Sequence, residues 1–409
     1  MAGATIDHMV SLTILIAALL IAMMTYNGMF ASAIEYDNNR QVANKAVDLM
    51  NAICLSPGSP ADWGETDSSV LGFGLQDPDA GGYTLSPHSI MRLNTTSNEN
   101  PLIEYPKDSG VFYNNISTSY GHAILNPIGD CINYTSTSEL LGVNGTYGFS
   151  VDITQTLDVT ILQVNDDPLT LNVNVAGSGL PLSGATLNSY LFYLNKPVDT
   201  DFPLITSYSN VTQTGPSGSV DIEFDVSNEG EGCAYSFLVY VNLGGVNGVG
   251  YFTSNTISDD TQYIVPLVDG FDVDDDYMKI ILTHSYNILP IENNAAAHYN
   301  ASFFTLTSDF QLQQFDLENS TGLLNTGTKL YNTTRIPSSE SGILVISYLA
   351  NGRLGSVIVP WGIGALGVSA SFGGSFGSSG YDFVATEIRQ VTINGISYHV
   401  KVSTWKLRT

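Results

Sequence analysis

One stretch decides most of what this chain can fold into. From Met9 to Ile34 no residue carries a formal charge, and Met9 to Met24 is almost wholly apolar. As a helix, this run of about 26 residues extends roughly 39 Å, longer than a hydrocarbon core of about 30 Å. Asn27 and Gly28 weaken its far end, so the firm core runs from Met9 to Tyr26. Beyond it the pattern turns amphipathic. Ile34, Val42, Ala46, Leu49, Met50 and Ile53 recur at three- and four-residue spacing among Glu35, Asp37, Arg40, Lys45 and Asp48. No proline interrupts Thr5 to Leu55, and the first strong stop is Ser56-Pro57-Gly58-Ser59-Pro60. The spacing predicts one helix within residues 1–55, about 75 Å long. Its first half is apolar all round, and its second half lies on a β domain.

A cleaved secretory signal fits this segment poorly. Ala31-Ser32-Ala33 has the residue sizes of a cleavage site, but the helical pattern runs through it, and no Lys or Arg precedes Arg40 to form a basic n-region. Arg40 and Lys45 come after the apolar run, and the positive-inside rule alone would leave the C-terminal part in the cytoplasm. The rest of the chain argues for the outside. Lys plus Arg number 13 against 39 Asp plus Glu, a net charge of -26, yet only 13% of residues are charged. The acidity comes from missing bases, and the surface is left to Ser, Thr, Asn, Gly and Tyr. So few bases exclude nucleic acid as a partner, because phosphate neutralisation needs clustered Lys and Arg. They also disfavour docking on anionic lipid. With 43% hydrophobic residues in 409, large cores are within reach.

After the helix, residues 56–146 are turn-rich. Tyr147 to Val164 then alternates as strand material, and Leu169 to Val175 alternates strictly. Tyr190–Leu194, Gly218–Val226 and Tyr235–Val241 are further strands. Two similar stretches, Phe237–Phe252 and Ile343–Ile358, each read as a hairpin, the second with Asn351-Gly352 at its turn. A last hairpin joins Ile388–Ile393 to Ile396–Trp405 through Asn394-Gly395. The expected fold is mainly β with one long N-terminal α-helix and tandem β-sandwich domains. The expected units are the helix at 1–55, a turn-rich β segment packed on it at 56–164, one sandwich at 165–257 and a second at 258–409. Little helix is expected after residue 60.

A long helix, first apolar and then amphipathic, carrying a β-rich head resembles the type IV pilin-like surface proteins of archaea. Gly3-Ala4-Thr5-Ile6-Asp7-His8-Met9-Val10-Ser11 is similar to their start. So are Pro57-Gly58-Ser59-Pro60-Ala61-Asp62-Trp63-Gly64 and Leu71-Gly72-Phe73-Gly74-Leu75 after the helix. The resemblance covers about the first 160 residues. It departs at Ala2, where such precursors carry a basic residue before the glycine. The strands after Gly177-Ser-Gly-Leu-Pro-Leu-Ser-Gly-Ala-Thr186 resemble the immunoglobulin-like or transthyretin-like modules of surface proteins.

The pilin-like resemblance implies a structural subunit of an extracellular filament. The chain would be membrane-inserted before assembly and would homo-oligomerise helically through its N-terminal helix. Leu12, Ile16, Leu19, Leu20 and Met23 would make the helix contacts. Asp7 would be the acid near the mature N-terminus, or simply a first-turn acid favoured by the helix dipole. The alternative is a membrane-anchored monomeric adhesin or receptor with immunoglobulin-like domains.

A search for chemistry returns little. Gly362-Ile-Gly-Ala-Leu-Gly367 matches a dinucleotide fingerprint, but the next residues, Val368-Ser-Ala-Ser-Phe-Gly-Gly374, cannot start a stable helix. Gly373-Gly-Ser-Phe-Gly377 matches a nucleophile elbow inside a Gly/Ser/Phe tract, with neither a strand before it nor a helix after it expected. The six histidines show no metal spacing. Asp272, Asp274 and Asp276 alternate as Ca²⁺ ligands can, or form an exposed acidic turn. Sequons for possible glycans fall at Asn94, Asn115, Asn133, Asn144, Asn210, Asn300, Asn319 and Asn332. Of three cysteines, Cys54 and Cys131 form the favoured pair, with buried thiols as the other reading. No carboxylate pair marks a glycosidase. No cofactor and no catalytic activity are expected.

Overall fold

The structure, a computed structural model, describes residues 2–64, 66, 68–93, 103–104, 112–117, 123–127, 132–195, 202–226, 234–254, 264–272, 277–284, 295–307, 309–325, 331–337, 342–361, 369–374 and 383–407. It is mainly β with one long helix, as the periodicity predicts. Helix α1 (Ala2–Cys54) runs for 53 residues. It stops where Pro57 removes a backbone donor and Gly58 turns to a φ of 90°. Beyond it, the described residues include two short helices, α2 (Pro87–Met91) and α3 (Tyr134–Leu140), capped by Ser86 and Asn133 respectively.

The strands in chain order begin with β1 (Ile103–Glu104), β2 (Phe112–Ser117), β3 (Ala123–Pro127), β4 (Tyr147–Gln155), β5 (Leu157–Asp166) and β6 (Leu169–Gly177). Next come β7 (Leu180–Pro181), β8 (Thr186–Asn195), β9 (Leu204–Gln213), β10 (Ser219–Phe224), β11 (Ala234–Leu243) and β12 (Val246–Ser254). After these are β13 (Ile264–Asp272), β14 (Tyr277–His284), β15 (Ala297–Leu306), β16 (Leu312–Phe315), β17 (Thr321–Leu324) and β18 (Tyr331–Pro337). The last are β19 (Gly342–Ala350), β20 (Arg353–Trp361), β21 (Ala370–Gly373), β22 (Val384–Ile393) and β23 (Ile396–Lys406).

Sheets β10-β6-β5 and β12-β11-β8-β9 face each other as a sandwich. Leu171, Val173, Leu191, Phe237 and Val239 fill its core. The second sheet is buried on its other face as well. Phe237 and Val239 point into the sandwich, while Leu238 and Tyr240 join a larger core with Val357 and Ile346. That core lies against sheet β16-β15-β19-β20. A strand buried on both faces reads as an apolar run rather than an alternation, which is why β11 and β19 do so. Ser236 breaks the run in β11, and its Oγ meets Ser356 Oγ at 2.6 Å between the layers.

The two similar hairpins therefore stack on each other. Their sheets also share a strand order: β12-β11-β8-β9 matches β20-β19-β15-β16 position by position. The turn Asn351-Gly352 has φ of 52° and 75°, and Asn394-Gly395 has 49° and 76°, the geometry of a type I′ hairpin.

The expected domain limits do not match the strand pairing. The boundary at 164/165 falls inside β5, and the sandwich spans 157–254. The region 258–409 does not stand alone: β23 and β21 both pair with β4, and β13 pairs with β3. The continuous alternation from Tyr147 hides the crossing. The chain leaves one sheet for another at Thr156, whose N–H bonds Ser397 O at 2.9 Å.

Candidate functional site

The site is the stem of α1. Its C-terminal third docks on β22 and β23. Val42, Ala46, Leu49, Met50 and Ile53 are buried there, on the stripe that the spacing predicts. Ile34, expected on the same stripe, is instead exposed, because the sheet ends before reaching it. The border is polar: Lys406 Nζ donates to Asn38 Oδ1 at 3.1 Å, and Gln41 Nε2 to Asp37 Oδ2 at 2.9 Å.

Above that border no described residue covers the helix. His8 to Asp37 are exposed throughout, including every large apolar side chain from Met9 to Tyr36. Leu12, Ile16, Leu19, Leu20 and Met23 are each 51–57% exposed. Asp7 lies in α1, but its side chain is outside the described residues. Met9 to Tyr36 spans about 42 Å. Thr13 Oγ1 and Thr25 Oγ1 each donate to the carbonyl four residues earlier, Met9 O and Ile21 O, at 2.8 Å. These hydroxyls are satisfied within the helix and suit an apolar surrounding. The helix is long and apolar enough to cross a membrane. At about 1.5–3 kcal/mol per large side chain, taking this surface out of water is worth on the order of tens of kcal/mol.

A knot of residues fixes the other end of α1. Trp63 is fully buried, and its Nε1 donates to Pro57 O at 3.0 Å and Gly74 O at 3.1 Å. The Arg92 guanidinium lies 5.5 Å from the Trp63 ring centroid and donates to Trp63 O and to Thr66 O. A Cβ on Gly74 would come within 2.0 Å of Ser56 O, and one on Gly64 within 2.4 Å of Ser89 N. The motifs that carry the pilin-like resemblance after the helix are thus packing requirements. Their spacing alone does not reveal this, because the two segments meet only in the fold.

The other sequence candidates have separate fates. Cys54 is a free, buried thiol whose Sγ contacts Met50 Sδ at 3.5 Å, so the expected Cys54–Cys131 bridge is missing at its Cys54 end. The thiol sits inside the helix–sheet core instead, and Cys131 lies outside the described residues. Asp272 ends β13, its side chain outside the described residues, and Asp274 and Asp276 fall in the segment outside them altogether. Among the described residues no cluster of His, Cys, Asp and Glu could hold a metal ion. The fingerprint glycines 362–367 and Ser375 are likewise outside. Contrary to expectation, a strand does lead into the Ser375 segment: β21 pairs with β4 as an edge strand.

Of the sequons, Asn94 lies outside the described residues, as do the side chains of Asn115 and Asn332. Asn133, Asn144, Asn210 and Asn319 are exposed, and Asn300 is half-buried. Asn144 Nδ2 donates to Glu139 Oε1, Asn300 Nδ2 to Pro203 O, and Asn319 Nδ2 to Thr333 O.

Among the histidines, His88 is buried in α2. Burial drives its pKa down to about 4, against a smaller opposing pull from Asp77. His284, bonded through Nε2 to Ala295 O, is lowered by burial too. The unfolded chain binds the His88 proton below its ordinary pKa of 6.5. The folded chain binds it only near 4, so stability is full above 6.5 and falls as pH drops toward 4. Wild type should lose about 2 kcal/mol more than His88→Gln between pH 7 and 4.5. Parallel losses in urea melts of the two proteins would disprove the assignment.

No family model matches the chain, and no curated protein does. Among solved structures, human GIVD cytosolic phospholipase A2 is similar at 6% identity with a TM-score of 0.11. That likeness covers 64% of this chain and spans 33% of that enzyme, and it carries no argument.

Proposed function

We propose that this chain is a structural subunit of an extracellular filament of the type IV pilus kind, membrane-inserted before assembly. The observation that carries the reading is the stem: a helix exposed and apolar on every side, continuous with a turn-locked, sheet-docked base. An apolar cylinder of this size is stable in lipid or among copies of itself, and not in water. Lipid holds the stem first, and a bundle of stems then replaces lipid as the filament core. The head forms the outer coat, with its neutral-polar surface and its sequons. No catalytic step is assigned to it.

Negative-stain microscopy of sheared surface material, with mass spectrometry of the same material, tests this. Filaments built from this chain are expected. Cells free of such filaments, together with a monomeric detergent extract, overturn the reading in favour of a membrane-anchored surface adhesin or receptor.

A further inference from the structure

We infer that Asn210 is an N-glycan acceptor whose glycan guards an otherwise open sheet edge. The inference rests on the head lying outside the cell, as proposed above. It starts from how each long sheet edge is protected against pairing with another chain, which an open edge invites. Strands β5, β10 and β22 carry charged residues, and α1 lies over β22. Strands β18 and β20 each hold an arginine and a proline. Strand β12 is uncharged, but side chains from β4 and β23 occupy part of its open side: Val249 N donates to Gln155 Oε1 at 2.9 Å, Gln155 Nε2 donates to Val249 O at 3.1 Å, and Asn247 N donates to Ser397 Oγ at 3.1 Å. Strands β1, β7, β16, β17 and β21 have four residues or fewer.

Among the described residues, β9 alone has none of these devices. It is ten residues long, uncharged and free of proline, and it pairs with β8 along its full length and with no strand beyond. Leu204, Tyr208 and Val211 are exposed along it. In its second half stands the sequon Asn210-Val211-Thr212. Asn210 is exposed, and its backbone carbonyl accepts from Ser189 Oγ on β8 at 2.9 Å. Among the described residues its carboxamide makes no hydrogen bond, unlike those of Asn144, Asn300 and Asn319. An oligosaccharide on Nδ2 would rise from one face of the sheet beside Ser189, and its bulk would overhang the edge where an incoming strand must lie about 4.8 Å away.

The modification is a displacement at the C1 carbon of an oligosaccharide donor activated by a lipid-linked phosphate. The bond from C1 to the phosphate oxygen breaks, and the phosphate leaves with the electron pair. A bond from Asn210 Nδ2 to C1 forms, and the one proton that Nδ2 loses passes to the released phosphate and the surrounding water.

Peptide mass spectrometry of the native surface protein gives the first result. Asn210 should carry the glycan. A bare Asn210 beside a glycosylated Asn133, which is also exposed, overturns the inference while leaving the head outside the cell. If every sequon is bare, both the inference and the support that the sequons lend to an outside location fall. The second result comes from the full chain in detergent, glycosylated and compared by cross-linking. Asn210→Gln should raise head-to-head dimers several-fold, whereas Asn144→Gln should not. Adding Val211→Lys to Asn210→Gln should restore the wild-type level, because a charge replaces the lost guard. Asn210→Gln protein that stays folded and associates no more than wild type overturns the guarding role.

Discussion

Leu19→Arg is expected to give a folded head whose stem enters membranes and joins filaments less readily than wild type. Leu19 sits near the middle of the uncharged run and is 52% exposed, with no described head residue packed on it. The head cannot sense the substitution, because the packed part of α1 begins near Val42. The stem does. An arginine at the centre of a membrane-spanning helix costs about 2.5–3.5 kcal/mol on insertion scales. In a bundle of stems the guanidinium would meet the apolar faces of neighbours, where an unpaired charge costs several kcal/mol. At about 1.4 kcal/mol per tenfold, either penalty lowers the equilibrium constant for insertion or assembly by at least roughly fifty-fold. Leu180→Arg is the control: Leu180 is 68% exposed on the head, so the same change there should leave assembly intact. Membrane fractionation and electron microscopy of the two variants read the result. Leu19→Arg protein that fractionates and assembles like wild type would falsify a role for the stem in either setting.

The helix was legible in the sequence because its signals are local. A charge-free run and a three-to-four spacing survive without knowledge of any distant residue. The docked stripe from Val42 to Ile53 emerges where that spacing puts it. The sheets were less legible, because their partners are remote. Strand β4 pairs with β23 about 250 residues later, and nothing in either strand names the other. The stretch from Tyr147 to Val164 alternates without a break, so the change of sheet at Thr156 leaves no mark. Strand β9 leaves no signal for the opposite reason. Neither of its faces is buried, so its apolar residues keep no period.

Charge placement became readable only in the fold. Arg40, Lys45, Arg389, Lys401 and Lys406 all lie on α1, β22 or β23, the elements that join stem to head. Lys401 pairs with Asp152 and Arg389 with Glu387 there. The base of the head is thus close to balanced, and the surplus of acids lies in the part of the chain between α1 and β22.

Trp63→Ala is expected to destabilise the head more than any single change on its surface. The side chain is fully buried beneath the end of α1, and deleting a buried aromatic of this size costs about 3–5 kcal/mol. The geometry adds two further losses. Pro57 O and Gly74 O lose the Nε1 donor they share, and the Arg92 guanidinium loses the ring it stacks on. Trp63→Phe separates these effects: it keeps an aromatic ring and removes the donor, so it should cost about 1–3 kcal/mol. Gly74→Ala probes the same knot from the other side. Its Cβ would sit 2.0 Å from the Ser56 carbonyl oxygen, so the backbone after the helix must move. The expected order of urea midpoints is wild type, then Trp63→Phe, then Trp63→Ala, with Gly74→Ala also well below wild type. Because the knot holds the base of α1 and not the stem, membrane association should persist in all three. A Trp63→Ala midpoint within error of wild type would mean that α1 is held by its contact with β22 and β23 alone.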